Sequence, residues 1–271
     1  MKRVFLFTVL FFCTLGLTAQ VTRTPVSVLY PSIGAYSSQF KDAFSFRSNT
    51  AALAGLKDFS AGVFSERRFL VEELSTYSFA LAMPTSSGNF GVKGDYSGGQ
   101  LYKEATLGFA YGRKLGEKAA LGLGFNYVSL NASGYGSASA LTFDAGAIFQ
   151  LTDQLQIGIH AYNPVSMKMG KTGDEKLPPL FSVGLGYDVS PQFYLGTEIV
   201  KTEDQPLSVN AGFHYVFAEK LVAQGGISSA TSVYYIGFGV QVKSFRVDAT
   251  ASFHPYLGTT PGLLFIYAPA K

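Results

Sequence analysis

Between residues 180 and 190 the chain reads LFSVGLGYDVS. Phe181, Val183, Leu185, Tyr187 and Val189 are apolar, and Ser182, Gly184, Gly186 and Asp188 alternate with them. The same rhythm returns at 119–130 (AALGLGFNYVSL), 207–217 (LSVNAGFHYVF) and 245–253 (FRVDATASF). A period of two sustained over such lengths marks a β-strand with one apolar face. Followed along the chain, the pattern predicts about fourteen strands, at 58–66, 75–83, 88–97, 102–115, 118–131, 139–151, 154–163, 180–189, 192–202, 206–217, 220–229, 232–243, 244–254 and 260–267. Turn signals separate them at 84–89 (PTSSGN), 115–118 (LGEK), 151–154 (LTDQ), 188–192 (DVSPQ), 202–206 (TEDQP) and 217–220 (FAEK). Longer connections fall at 66–74, 97–101, 131–138, 163–179 and 254–260. Tight turns alternating with longer loops fit a transmembrane barrel. Many segments also have the ~9–11 residues that a tilted membrane strand needs, against ~5–6 for a soluble one.

Size decides which phase points where. A barrel of this many strands encloses more room than side chains fill, so the large phase cannot all face inward. The small and polar phase is expected to line the lumen: Gly108, Gly122, Gly184, Gly212 and Gly237, with Asp144, Asp188, Glu198, His214, Arg246 and Asp248. Tyr111, Tyr127, Tyr187 and Tyr215 sit near strand ends on the large phase, where an aromatic girdle belongs. A soluble β-sandwich would bury the large phase between two sheets. Its other phase would meet water and would be rich in Lys, Glu and Thr, whereas here it is rich in Gly and Ser.

Composition supports the barrel. Charged residues make up 14% of the chain, well under the usual ~25%. Aromatics reach 15%, all Phe and Tyr with no Trp. The opening MKRVFLFTVLFFCTLGLTAQ has a basic start at Lys2 and Arg3, an apolar stretch from Val4 to Leu17 and a cut expected after Ala19, the layout of an export signal over 1–19. No later run is long and apolar enough for a membrane helix. An exported chain of this kind is periplasmic, secreted or an outer-membrane barrel, and the strand pattern selects the last, in the outer membrane of a Gram-negative bacterium. Cys13 is the only cysteine and lies in the export signal, so no disulfide, thiolate nucleophile or Cys-bound metal is expected in the remainder. Net charge is +3, falling to +1 without Lys2 and Arg3, which leaves no basic excess for nucleic acid.

Residues 20–57 precede the first strand, and their part PSIGAYSSQFKDAFSFRSNTAALAGL breaks the two-residue rhythm. Ala51 to Ala54 predict a short helix capped by Asn49 or Thr50. This segment is expected to plug the lumen or lie on its rim as a hatch, ahead of a barrel over 58–271. In a transporter, an apolar pocket is expected between hatch and wall, near Phe44, Phe46 and Leu53.

The candidate chemistry is sparse. His160, His214 and His254 stand too far apart in sequence for a ligand pair, so no metal or cofactor is expected. Arg246 and Asp248 share a strand face, and with Glu198, Asp188 and Asp144 they are expected to form ion pairs across the lumen, since buried charges pair. Ser252, His254 and Asp248 share the inward phase, which any polar lumen offers, and no catalytic set is assigned. SERRFLVEELSTY at 65–77 is the one dense charge cluster and reads as a solvated loop, with Arg67 and Arg68 free to meet phosphates. The last strand, PGLLFIYAPAK, ends beyond its final aromatic residue, Tyr267.

The stretch GAYSSQFKDAFSFRSNTAALAGL resembles the hatch of FadL-type outer-membrane proteins, whose Asn-Pro-Ala-x-Leu-Ala motif appears here as Asn49-Thr50-Ala51-Ala52-Leu53-Ala54 without its proline. LGLGFNYVSLNASGYG, AGAIFQLTDQLQIGIHAYNP and KLPPLFSVGLGYDVS resemble the same family's repeated strand–turn–strand text, in particular its PorV/PorQ-like branch in Bacteroidetes. The resemblance implies an all-β, antiparallel, up-and-down transmembrane barrel of about fourteen strands with an N-terminal hatch. It further implies a non-catalytic role in protein export by type IX secretion, with a secretion-machinery protein as partner. Two alternatives stand beside it: FadL-like passage of hydrophobic small molecules, and a PorP/SprF-like role in secretion or gliding. Outer-membrane lipid is the expected surroundings in every case.

Overall fold

The computed structural model describes residues 34–170, 175–203, 205–230 and 232–269. The export signal assigned to 1–19 and the start of the 20–57 segment lie outside these residues. The wall is built from β1 (Ser60–Arg67), β2 (Ser75–Thr85), β3 (Gly88–Gly98), β4 (Tyr102–Leu115), β5 (Ala119–Ala132), β6 (Gly136–Gln150) and β7 (Leu155–Tyr162). A two-residue ribbon follows, β8 (Lys168–Met169) with β9 (Glu175–Lys176). The wall then continues through β10 (Leu180–Ser190), β11 (Phe193–Thr202), β12 (Ser208–Phe217), β13 (Leu221–Ser228), β14 (Val233–Val242), β15 (Phe245–His254) and β16 (Gly258–Tyr267). β7 pairs directly with β10, and β1 closes on β16 from Ala61↔Tyr267 to Glu66↔Gly262. The result is one closed barrel of fourteen antiparallel strands, and every strand read from the sequence is present with its ends within three residues.

Successive strands are antiparallel neighbours, so their connections alternate between two rims. The start of β1 and the end of β16 mark one of them, which also carries the connections at 86–87, 116–118, 151–154, 191–192, 218–220 and 243–244. The opposite rim carries 68–74, 99–101, 133–135, 163–179, 203–207, 229–232 and 255–257. TEDQP at 202–206, which the sequence groups with the tight turns, therefore belongs to the rim of the longer loops. Counting strands, rather than the chemistry of the turn, places it there.

The two phases divide as their sizes require. Phe125, Leu141 and Phe238 on the outer face are 67%, 66% and 62% exposed, and similar apolar side chains continue around the wall. An apolar band of that extent is abnormal for a protein surrounded by water and normal for one surrounded by hydrocarbon. Tyr127, Tyr187 and Tyr215 stand exposed on the outer face. Tyr187 and Tyr215 lie near the β1-start rim with Tyr111, whose hydroxyl donates to the Ser87 carbonyl at 2.6 Å. Tyr127 instead lies in the half of β5 nearer the opposite rim.

Candidate functional site

Residues 34–56 fill the barrel at the rim where β1 starts, and 57–59 lead from them into β1. Their core is a six-residue 3-10 helix, Thr50–Gly55, and Asn49 is its cap, accepting from the Ala51 amide at 3.0 Å. At the other end Asn89 of β3 donates to the carbonyls of Leu53 and Leu56, the latter at 2.7 Å, so a wall side chain satisfies the orphan acceptors of the last turn. The side chain of Asn49 also donates to the Ile159 carbonyl at 3.0 Å, which ties the cap to β7.

Glycines of the wall make the close approach possible. A Cβ at Gly122 would collide with the backbone of Thr50 and Ala51, and one at Gly112 would meet Leu53. At Gly91 it would meet Phe46 and Leu53, at Gly62 the ring of Phe44, and at Gly184 the ring of Tyr36. All five are inward positions, so the hatch rests on bare backbone. Phe44, Phe46 and Leu53 are at most 1% exposed and pack against Phe64, Ala80, Ala82, Ala110, Leu264 and Ile266. Where the sequence suggests an apolar pocket beside these three side chains, the structure has a filled core. Ala51 belongs to a neighbouring cluster with Tyr36, Ala52 and Ile148.

Most of the lumen residues read from the sequence hold this segment. Asp188 accepts from the hydroxyls of Ser37 and Ser38 and from the Ser38 amide, the last at 2.8 Å. Glu198 accepts from the Tyr36 hydroxyl at 2.9 Å. Burial pushes the Tyr36 phenol well above its ordinary range, and the Glu198 charge adds to this, so Tyr36 stays a donor. Arg246 reaches Asp42 at 3.0 Å and Asp248 at 3.2 Å, joining hatch to wall. The His214 ring is buried 4.5 Å from the ring of Phe40. The charges therefore do not form one ladder across the lumen. Asp188, Glu198 and Arg246 each bond to the hatch, and Asp248 buttresses Arg246.

Asp144 is the exception. It is fully buried, 2.9 Å from Asn126, 3.4 Å from Lys93 and 3.8 Å from His160. This cluster, and the Arg47–Asp95–Ser78 cluster between hatch, β3 and β2, were not assigned from the sequence. Lys93, Asp95, Asn126 and His160 all lie on the inward phase, which is the signal that points to them. Ser252, His254 and Asp248 are not brought together: six residues of extended strand separate Asp248 from His254, about 20 Å. The His254 ring instead accepts from the amides of Tyr256 and Leu257 in the β15–β16 turn.

Two further features frame the lumen. At the opposite rim Met169 of β8 and Leu177 fold back onto the inward side chains Val128, Leu130 and Ala140, forming an apolar cap on that part of the mouth. In the wall a mostly apolar cavity of about 480 Å³ is lined by Val63, Phe64, Phe79, Leu263 and Phe265, with Tyr77 and Tyr96 beside them and Ser65, Ser78, Asp95 and Thr106 as polar members. Most of its lining, including Val63, Tyr77, Phe79, Leu263 and Phe265, is on the outward phase, so it opens on the outer face and reaches into the wall at Phe64, Ser78, Asp95 and Thr106.

No protein-family model matches the sequence, and no curated protein matches it either. Solved structures do match in shape. A FadL homologue of Pseudomonas aeruginosa superimposes with a TM-score of 0.61 at 12% identity, over 88% of this chain and 96% of that one. The toluene transporter TodX of Pseudomonas putida gives 0.62 at 12% identity, over 89% and 97%. The toluene transporter TbuX of Ralstonia pickettii gives 0.59 at 12% identity, over 86% and 94%. The closed wall of fourteen antiparallel strands thus has the fold of FadL-type outer-membrane β-barrels.

Proposed function

We propose that this chain lies in the outer membrane of a Gram-negative bacterium and passes small hydrophobic molecules through it, without catalysing a reaction. The observation that carries the reading is the apolar wall cavity of about 480 Å³, within the size range of small-molecule pockets. It sits in a barrel whose shape matches two toluene transporters. Its lining offers a hydrophobic molecule rings and aliphatic groups, with Ser65, Ser78, Asp95 and Thr106 as polar contacts. Periplasmic turns of such barrels are the short ones, and the rim with the hatch carries the short turns, so in this reading it faces the periplasm.

The test is toluene uptake by cells whose own FadL-type transporters are deleted. Expression of the chain is expected to raise the initial uptake rate above the vector control. Gly94→Val forces a side chain against the Phe79 ring that lines the cavity, and should remove most of the gain. Heat-modifiable gel migration checks that the variant still forms a barrel. Uptake equal to the vector control would reject the reading.

A second reading, support of protein export in the manner of PorV/PorQ-like proteins and type IX secretion, draws on one feature of the opposite rim. On its loops Leu70, Leu101, Tyr135 and Tyr256 stand out at 64%, 77%, 95% and 91% exposure. A secretion protein recovered with the chain in mild detergent, and lost when these four are made polar, would favour it.

A further inference from the structure

Between the hatch and the turns that join β4 to β5 and β6 to β7 lies a second cavity, of about 230 Å³. Four lysines line it. Lys41 and Lys57 come from the hatch, Lys114 from the end of β4 and Lys118 from the β4–β5 turn, with Glu117 as the one carboxylate. The side chains of Lys57, Lys114 and Lys118 make no hydrogen bond or ion pair among the described residues. The Lys41 ammonium donates to the Gln156 amide oxygen at 3.1 Å, and its stem crosses Gly55.

Positive side chains normally spread out or pair; here they converge without enough negative charge. Burial pulls the Lys41 ammonium down to about 8, Asp188 opposes that shift, and Lys114 reinforces it by like-charge repulsion. Asp188 is already engaged by Ser37 and Ser38. Beneath the lysines, Ala51, Ala120 and Ile148 give the cavity an apolar floor, and Gln150 and Gln156 supply neutral amides. Lys114, Ala120, Ile148 and Gln156 are inward positions, so the cavity opens toward the lumen mouth and not toward the bilayer.

We propose that this cavity is an anion-binding site for a small carboxylate or phosphate group, held by Lys41, Lys57, Lys114 and Lys118. The group is either a free anion or the head of an amphiphile whose first methylenes lie on the apolar floor. Because its lysines come from both hatch and wall, an anion bound here bridges the two. The site is separate from the wall cavity and stands whatever that cavity carries.

The experiment is calorimetric titration of the full chain in nanodiscs of zwitterionic lipid at low ionic strength. Inorganic phosphate, acetate and hexanoate are titrated separately. Saturable binding of at least one anion is expected. The triple substitution Lys57→Gln/Lys114→Gln/Lys118→Gln should weaken it by about tenfold or more, the order expected for losing three partly exposed charge contacts. Lys103→Gln/Lys168→Gln, at the opposite rim, should leave it unchanged. Hexanoate binding more tightly than acetate assigns the site to an amphiphile head. Phosphate or acetate binding as well as hexanoate assigns it to a free anion. Absence of saturable binding by all three, or equal affinity in the triple variant and the parent, would overturn the proposal. The three replaced lysines have exposed side chains, and heat-modifiable migration checks that each variant folds.

Discussion

At the scale of single residues, an arrangement recurs in the lumen away from the hatch: a polar side chain lies across the glycine directly opposite it on the next strand. Asp144 faces Gly124, Asp248 faces Gly239, and Lys93 and Asn126 flank Gly108 on either side. In each pair a Cβ on the glycine would enter the space of the polar side chain. Gly122 is stricter, because its neighbours are the backbone atoms of Thr50 and Ala51, which cannot rotate away. Gly122→Ala is therefore expected to displace the 3-10 helix and loosen the hatch by roughly 1–3 kcal/mol, the usual range for overpacking. Hydrogen exchange at the Ala51 and Ala52 amides should accelerate while the strand ladder stays protected. Unchanged exchange would show that the hatch is not seated on this glycine. The inward phase was legible in the sequence, because size alone separates Gly184 and Asp188 from Leu185 and Tyr187. The partners were not. Asp188 and Ser37 are 151 residues apart, and no local pattern connects them.

At the scale of elements, the strands were legible because each shows bulk on one side only, and period two survives wherever one face is greasy. The β8–β9 ribbon was not, since two residues per strand carry no period. Its importance is tertiary: Met169 and Leu177 are 2% and 1% exposed, and their burial on Val128 and Leu130 holds this ribbon over the mouth. Burying side chains of this size is worth about 1.5–3 kcal/mol each. Met169→Ser/Leu177→Ser should free the ribbon. The Leu177 amide, which donates to the Met167 carbonyl at 2.9 Å, should then exchange at least about tenfold faster, given how local opening tracks local burial. Protection that persists in the double variant would mean that the ribbon is held by other bonds, such as the one from Asn163 to the Leu177 carbonyl.

At the scale of the whole molecule, wall and hatch are held together by different means. Every wall strand is paired on both sides, and the seam from β16 to β1 closes without a single hatch residue. Deleting residues 34–57 is therefore expected to leave a barrel that still shows heat-modifiable migration. It would no longer be plugged at one rim, and its ion conductance in planar bilayers should rise above that of the full chain. Loss of heat-modifiable migration would show instead that the wall needs its filling. The barrel class was readable from outward bulk and scarce charge. The filled core around Phe44, Phe46 and Leu53 was not, because an apolar residue in a segment without period fits a pocket and a packed core equally well.

The way the hatch is seated also sets an order of events. Residues 34–59 precede every strand, yet their anchors are spread from Asn89 on β3 to Arg246 on β15. The part of the chain made first can complete its contacts only after nearly all of the wall exists. Until then three large apolar side chains have no core to enter, and a chain in that state is prone to aggregate. Assembly of this protein therefore has a vulnerable interval, during which a holding chaperone would have to cover the hatch as well as the strands.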